Sequence, residues 1–414
     1  MKNKSLAMLS PLCLCLFAAS ARADLEPFTF GAAETVGHQS NIDHSDDSVR
    51  VADWISTTSL NAGLNQALGR DKLLAAIEAD LNRYKRSHSL NSTGYRGSAE
   101  FDWSTIGDLS GALGADANRR QYIYGETADI LPGHSPTVTN VRNLQTDSHA
   151  FAKLVLGGES RWTIFGGADA NKRTFSADTF RVDNEQQWSS NLGTRYSTSP
   201  DLSFGVTGAY VNGEYPHGSA TNGSSKFTTR SFDLTTRWQA SGNSSLDASV
   251  GYTSENNDEL SSNRNFVNGS LNWNWTPPSH FKVVLGLKRS SDVDSSSTLV
   301  NAGAVNTNNL NGTSINNVGH LEVTYALTAK VSLDASADYT QRKYSDIKQG
   351  DGTDASGATR TSRLYLTAHY QPTRTTDLSC GGGREVRKID ASLKLVTPAY
   401  TDNYLQCVAS ITFD

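Results

Sequence analysis

Beyond its first two dozen residues the chain has no apolar run near the roughly 18 to 20 residues that a spanning helix requires, which excludes a helical membrane protein. Basic charge is not in excess: the formal net charge is −5. Without Lys2, Lys4 and Arg22 of the N-terminal segment it would be −8. A nucleic-acid partner, which asks for a basic face, is therefore not expected. Sulfur is scarce, with 2 Met and 4 Cys in 414 residues. Met1, Met8, Cys13 and Cys15 all fall in the N-terminal segment, leaving Cys380 and Cys407 to the rest of the chain. Gly381-Gly382-Gly383 is not followed by the Lys-Ser/Thr of a phosphate-binding loop, so nucleotide is not expected. No Ser, His and Asp stand at a spacing that suggests a hydrolase. The chain is read as a non-enzyme with no cofactor and no metal.

What is present begins with a leader. Lys2 and Lys4 precede an apolar stretch from Leu6 to Ala19, and Ala21-Arg22-Ala23 forms a small-x-small site. This is the layout of a secretory signal peptide over 1–23, cleaved after Ala23. No lipobox surrounds Cys13 or Cys15, so no lipid anchor is expected.

From residue 24 to 414 the dominant signal is a period of two. Phe101 and Trp103 alternate with Glu100 and Asp102; Leu202, Phe204 and Val206 with Ser203, Gly205 and Thr207. Leu321, Val323 and Tyr325 alternate with Glu322 and Thr324, and Leu405, Cys407, Ala409, Ile411 and Phe413 with polar or smaller neighbours. Such repetition marks strands with one apolar face. Mean hydropathy is only −0.46, which a membrane barrel permits because every second strand residue faces a polar lumen.

Connections alternate between short turns (near residues 69–71, 106–108, 157–159, 199–201, 241–243, 276–278, 328–330 and 372–374) and longer polar stretches (41–49, 121–142, 214–226, 292–314, 346–359 and 389–402). The expected fold is all-β, a transmembrane antiparallel up-and-down β-barrel of about 18 strands over residues 24–414. Short turns and both termini would lie in the periplasm of an outer-membrane protein. Leu73–Leu81 also suits an amphipathic helix by propensity, but a helix there would leave the strand count odd and break closure. Trp103, Tyr196, Trp238, Trp273, Trp275 and Tyr370 suit an aromatic girdle. A secreted β-sandwich or solenoid is the competing architecture; no strict short repeat supports the solenoid.

If the apolar partners face lipid, the lumen receives Glu78, Asp80, Glu100, Asp102, Asp116, Lys153, Arg161, Asp169, Arg195, Asp233, Arg237, Asp247, Lys282, Lys288, His320, Glu322, Asp334, Asp338, Arg363 and His369. A lipid-facing Arg or Lys at mid-depth would cost about 2–4 kcal/mol, which constrains the parity. These groups either pair with one another and rigidify the wall or line a hydrated channel. Tyr84 and Tyr365 fall on the same side and offer flat surfaces to a sugar ring. Tyr122, Tyr124 and Leu131, in an apolar-rich loop over 121–142, suggest a gate or a loop packed on its neighbours. His38, Asp43, His44, Asp46 and Asp47 crowd an early loop, read as solvated rather than as a metal site. Cys380 and Cys407 share parity with Leu378 and Leu405, and their midpoint near residue 393 falls in the last loop. Antiparallel pairing opposes them, and an oxidising compartment would join them in a disulfide.

The segment Thr93-Gly94-Tyr95 through Asp102-Trp103-Ser104-Thr105-Ile106-Gly107-Asp108-Leu109-Ser110-Gly111 resembles the EpsL-type outer-membrane barrel proteins encoded in bacterial exopolysaccharide loci. The resemblance extends diffusely over most of the chain after the leader. It implies a role in exopolysaccharide synthesis or export across the outer membrane, beside a periplasmic polysaccharide-export partner; with the barrel reading, the expected function is a passive channel in contact with outer-membrane lipid and lipopolysaccharide. It implies no catalytic residues. A diffusion porin for small solutes and a structural or adhesive surface barrel are the alternatives.

Overall fold

The computed structural model describes residues 27–122, 142–158, 160–217, 224–257, 262–291, 313–348, 354–393 and 398–413. The leader over 1–23, and Tyr124 and Leu131 of the expected gate, lie outside the described residues. The strands are β1 (Phe28–Gln39), β2 (Asp53–Leu68), β3 (Asp71–Tyr84), β4 (Ser92–Ser104), β5 (Leu109–Gln121), β6 (Leu144–Leu156), β7 (Trp162–Phe175), β8 (Glu185–Ser199) and β9 (Leu202–Tyr215). They continue as β10 (Ser225–Ser241), β11 (Ser244–Asn257), β12 (Ser262–Trp275), β13 (Phe281–Ser291), β14 (Thr313–Ala326), β15 (Val331–Lys348), β16 (Asp354–Tyr370), β17 (Thr376–Ile389) and β18 (Tyr400–Phe413). Each pairs antiparallel with its sequence neighbours, and β1 also pairs with β18, from Phe30 opposite Phe413 to Gln39 opposite Tyr404. The 18-stranded sheet is therefore a closed up-and-down barrel. Closure satisfies the edge N–H and C=O groups that hydrocarbon cannot.

Leu73–Leu81 lies within β3, as the closure argument requires. Among the described residues no helix is long and apolar enough to cross a membrane; the helical segments are short 3-10 pieces at His88–Leu90, Asp178–Asp183 and Ala391–Leu393. The connections 85–91 and 176–184, not singled out in the sequence, belong to the long-connection end. The stretch expected as a loop over 346–359 is narrower, because β15 runs to Lys348 and β16 begins at Asp354.

Register explains why the alternation is so regular. Leu364 stands opposite Ala337, which stands opposite Leu321, so one row of one face stays apolar across three strands. That face is the outer one: Leu60, Ile77, Leu192, Phe232, Leu364 and Leu405 are all exposed on it. At the short-turn end it carries Trp103, Tyr196, Trp238, Trp273, Trp275 and Tyr370. Trp162 and Tyr196 pair at 4.8 Å there, and Phe281 and Tyr325 at 4.6 Å. Strands run from 11 to 18 residues, more than the 9 to 11 that cross a bilayer, and the surplus extends at the long-connection end. Gly69 (φ 70°) and Gly157 (φ 78°) supply the left-handed backbone of two of the short turns. Cys380 lies directly opposite Cys407, with a Cα–Cα distance of 4.1 Å and a disulfide between them on the outer face.

Candidate conduit wall and mouth

The register places the sequence-derived set, from Glu78 and Asp80 on β3 to Arg363 and His369 on β16, on the face opposite the apolar rows. Arg161 is exposed in the bend just before β7, at the short-turn edge, where its carbonyl still accepts from Ser197 N at 2.8 Å. About half of the remaining groups find an ionic or hydrogen-bonding partner nearby, several of them through a histidine. His149 of β6 bridges Asp116 (2.8 Å) and Asp169 (3.2 Å). Arg237 meets Asp247 at 2.6 Å, and His320 meets Asp338 at 2.6 Å and Glu322 at 3.6 Å. His369 meets Asp334 at 3.0 Å and Asp377 at 3.8 Å, and Arg363 holds Glu385 through Nε at 2.6 Å. Cross-strand pairs of this kind contribute about 0.2–1 kcal/mol each, so they stiffen the wall without filling it.

Other members are held differently. Asp80 accepts from Ser59 Oγ at 2.5 Å and Asp233 from Asn268 Nδ2 at 2.7 Å. Lys153 sits 4.4 Å from the Phe151 ring centroid and Arg195 lies 5.3 Å from that of Phe165. Glu78, Glu100, Asp102 and Lys282 have no hydrogen-bond or ion-pair partner among the described residues. Lys288 lies on the same inner face of β13. The inner wall between β5 and β11 encloses a recess of about 660 Å³ lined by Asp116, His149, Lys153, Asp169, Glu185 and Thr253 among others.

The long-connection end is packed. Phe227, Phe266, Val318, Tyr344 and Tyr400 point inward against the prevailing parity and are buried. Tyr215 and Val211 join Phe227, while Tyr122 packs on Phe175 and Phe180. Tyr122, at the start of the expected gate loop, is thus anchored on its neighbours, with ring centroids 5.3 Å from Phe175. The connection between β1 and β2 folds in from the other side. Residues 41–45 are buried rather than solvated. Asn41 N donates to Asp402 Oδ1 at 2.9 Å and Ser40 Oγ to the same atom at 3.1 Å. His44 stacks on Tyr400 at 4.4 Å, with Nε2 3.7 Å from Asp402 Oδ2. Tyr400 donates to Glu385, and Arg387 lies 4.7 Å from the Tyr400 ring centroid. Farther out on the same connection, the Ser48 amide and hydroxyl hold the Asp46 carboxyl below the usual range. His38 stands apart on the outer face against Trp54. Among the described residues no three His, Cys, Asp or Glu side chains are grouped to hold a metal.

Two inner tyrosines lie flat on the wall. Tyr365 and Tyr404 stack with centroids 5.3 Å apart and planes 23° apart. Gly383 between them makes this possible: a Cβ there would lie 2.7 Å from Tyr365 Cδ2 and from Tyr404 Cζ. Tyr404 was not singled out in the sequence; its parity opposite Cys407 was the available signal.

The outer face also has charge. Near the long-connection end it carries Arg83, Arg119, Lys172, Lys226, Arg230 and Arg289, with Glu214 between Lys226 and Gln186. Glu34 faces outward on β1, accepting from Ser56 Oγ (2.5 Å) and Thr58 Oγ1 (2.7 Å). Past the end of β17, Arg360 Nη1 (2.9 Å) and Ala358 N (2.8 Å) hold the Asp390 carboxyl below its ordinary range.

No family model matches the chain, and no curated protein matches it in sequence. Among solved structures it is similar to the outer membrane protein OpdK from Pseudomonas aeruginosa: 12% identity, 93% of this chain and 98% of that one covered, TM-score 0.49. It is similar at 13% identity to OpdL of the same organism (94% and 98% covered, TM-score 0.46), and at 12% to a bacterial polysaccharide outer membrane secretin (92% and 98% covered, TM-score 0.35). At these identities the likenesses concern barrel shape and carry no activity across.

Proposed function

We propose that the barrel is a passive outer-membrane conduit for an exopolysaccharide chain, working beside a periplasmic export partner and embedded in outer-membrane lipid and lipopolysaccharide. The observation that carries this reading is the chemistry of the inner wall. Its charges are of both signs and partly paired, leaving carboxylates, amides and hydroxyls able to hydrogen-bond a polyhydroxylated chain without a dominant trapping charge. Conduction needs binding that is favourable but weak and repeated. The flat Tyr365–Tyr404 pair adds an apolar surface for sugar rings. The resemblance of the 93–111 hairpin to EpsL-type barrels points the same way. The reading assigns the wall residues from Glu78 to His369 a lining role and gives the barrel no catalytic step.

The inward-folded 40–52 connection and the packed aromatic residues are the constriction, and the reading keeps the gating role expected of Tyr122, Tyr124 and Leu131. Planar-bilayer recording tests the whole. The polymer of the producing strain, added at the short-turn side, is expected to give transient blockades that shorten when Tyr365→Ala and Tyr404→Ala are combined. Steady conductance never blocked by polymer, with free passage of small solutes, would establish a diffusion porin instead. Unchanged polymer secretion in a deletion strain that loses surface attachment would establish an adhesive barrel.

A further inference from the structure

On the outer face of β15 to β17 the apolar rows end abruptly in cations. Going toward the long-connection end, β15 passes from Ala337 and Tyr339 to Gln341 and Lys343, and β16 from Leu364 to Ser362 and Arg360. On β17, Gly382 gives way to Arg384, then Val386, then Lys388. Arg360 and Lys388 are directly opposite each other. Like charges so placed, with Cβ atoms about 5 Å apart, destabilise a sheet, so the arrangement calls for an anion from elsewhere. The chain supplies one carboxylate, Asp390, to Arg360. Lys343, Arg384 and Lys388 are exposed and have no anionic partner among the described residues.

We infer that this patch is a binding site for the phosphorylated headgroup of a lipid in the leaflet at the long-connection end. The position selects the ligand. The cations stand on the face that meets lipid, immediately above the apolar rows, where acyl chains can lie on Leu364, Leu366 and Tyr339 while the phosphate reaches upward. Arg384, at the boundary itself, is long enough to direct its guanidinium to the phosphate while its stem stays in the apolar layer, and Arg geometry suits bidentate phosphate contact. The site is independent of what passes through the lumen; it requires only that the barrel be inserted in a membrane.

The test uses the purified full barrel in neutral-detergent micelles, with bisphosphorylated lipid A and the same lipid A stripped of its phosphates as probes. Binding is read by native mass spectrometry, and folding of every variant by heat-modifiable gel migration. The phosphorylated probe is expected to bind at least tenfold tighter, and Arg384→Gln with Lys388→Gln to weaken it about thirtyfold. Lys343→Gln with Lys388→Gln serves as a second pair with the same expected direction. Arg70→Gln with Arg374→Gln removes equal charge at the short-turn end and is expected to change nothing. Equal binding of the two probes, equal loss in the Arg70/Arg374 control, or displacement by millimolar inorganic phosphate would each overturn the inference, the last by making the patch a free-phosphate site.

Discussion

Asp402→Ala should release the 40–52 connection from the barrel wall. Asp402 is fully buried on the inner face of β18 and accepts two hydrogen bonds from the connection, from Asn41 N and Ser40 Oγ, besides standing 3.7 Å from His44. Hydrogen bonds to a charged group contribute about 1.5–3 kcal/mol each, and removing the carboxylate also relieves its own desolvation. The net shift is about 3 kcal/mol, a factor of about 150 in the ratio of docked to released connection. The Ser40 N to Asn403 O bond, the Thr401 N to Asp47 Oδ1 bond and the His44–Tyr400 stack remain, so release should be a population shift rather than a full unfolding. Ser45 is buried within the docked connection. The thiol introduced by Ser45→Cys should therefore react slowly with a hydrophilic maleimide in the otherwise native barrel and about two orders of magnitude faster when Asp402→Ala is added, in proportion to the released population. Mean single-channel conductance should rise in the same variant. Asp402→Asn, which keeps an acceptor, should fall between. Unaltered labelling and conductance in Asp402→Ala would refute both the tie and its role in narrowing the mouth.

The other expectations concern the wall and its ends. Cys380→Ala with Cys407→Ala removes a crosslink of sequence separation 27, and the chain-entropy model gives a loss of about 3.5 kcal/mol, measurable as a lower urea midpoint with an unchanged slope. Leu366→Arg, between outward Ala335 and Gly382, puts a cation among apolar residues and should cost about 2–4 kcal/mol, whereas inward Ser336→Arg should leave stability near wild type and shift reversal potentials toward anion preference. The Asp390 carboxyl, lowered by Arg360 and the Ala358 amide, contributes stability above its unfolded pKa of about 3.9. That contribution is lost as pH falls through the lower folded value, and a carboxyl NMR titration together with loss of the acid limb in Asp390→Asn checks it. An epitope inserted after the exposed Val49 should be reached by antibody on intact cells and one after Gly242 only after permeabilisation; the reverse pattern would invert the barrel.

The period-two alternation was legible because lipid selects one face of every strand, and a one-residue slip would turn Leu364 and Arg363 to the wrong sides at once. The disulfide was legible for a related reason: hairpin symmetry about the last connection and shared parity together favour placing Cys380 opposite Cys407. Phe227, Phe266, Tyr344 and Tyr400 were not read as a packed mouth, since an inward aromatic residue looks like a lapse in the pattern unless its height in the barrel is known. The burial of Asp43 and His44 was beyond local reading altogether. Their composition is that of a solvated loop, and what buries them is a carboxylate 361 residues from Asn41. Glu34 went unread because β1 has too few polar alternates to declare its face.

Many departures from simple alternation gather at one end. The buried inward Phe227, Tyr344 and Tyr400, the folded-in 40–52 connection and the outward cations lie where the strands exceed the length a bilayer needs, whereas inward Phe151, Phe165 and Tyr365 and outward Glu34 stand lower on the wall. Strand surplus has a physical consequence here. Residues above the apolar rows are freed from the rule that outward means apolar, so the outer face can carry Lys343, Arg360 and Lys388 without the cost of charge in hydrocarbon. Residues inside the same rim are freed from lining an open lumen, so the inner face can bury Tyr400 and Phe227. The barrel midsection must satisfy lipid and water on opposite faces and has little freedom in sequence. It follows that substitutions at the long-connection rim should alter the mouth and the lipid contact separately, with outward changes leaving conductance alone and inward changes leaving lipid binding alone, because successive residues of one strand point into two different environments.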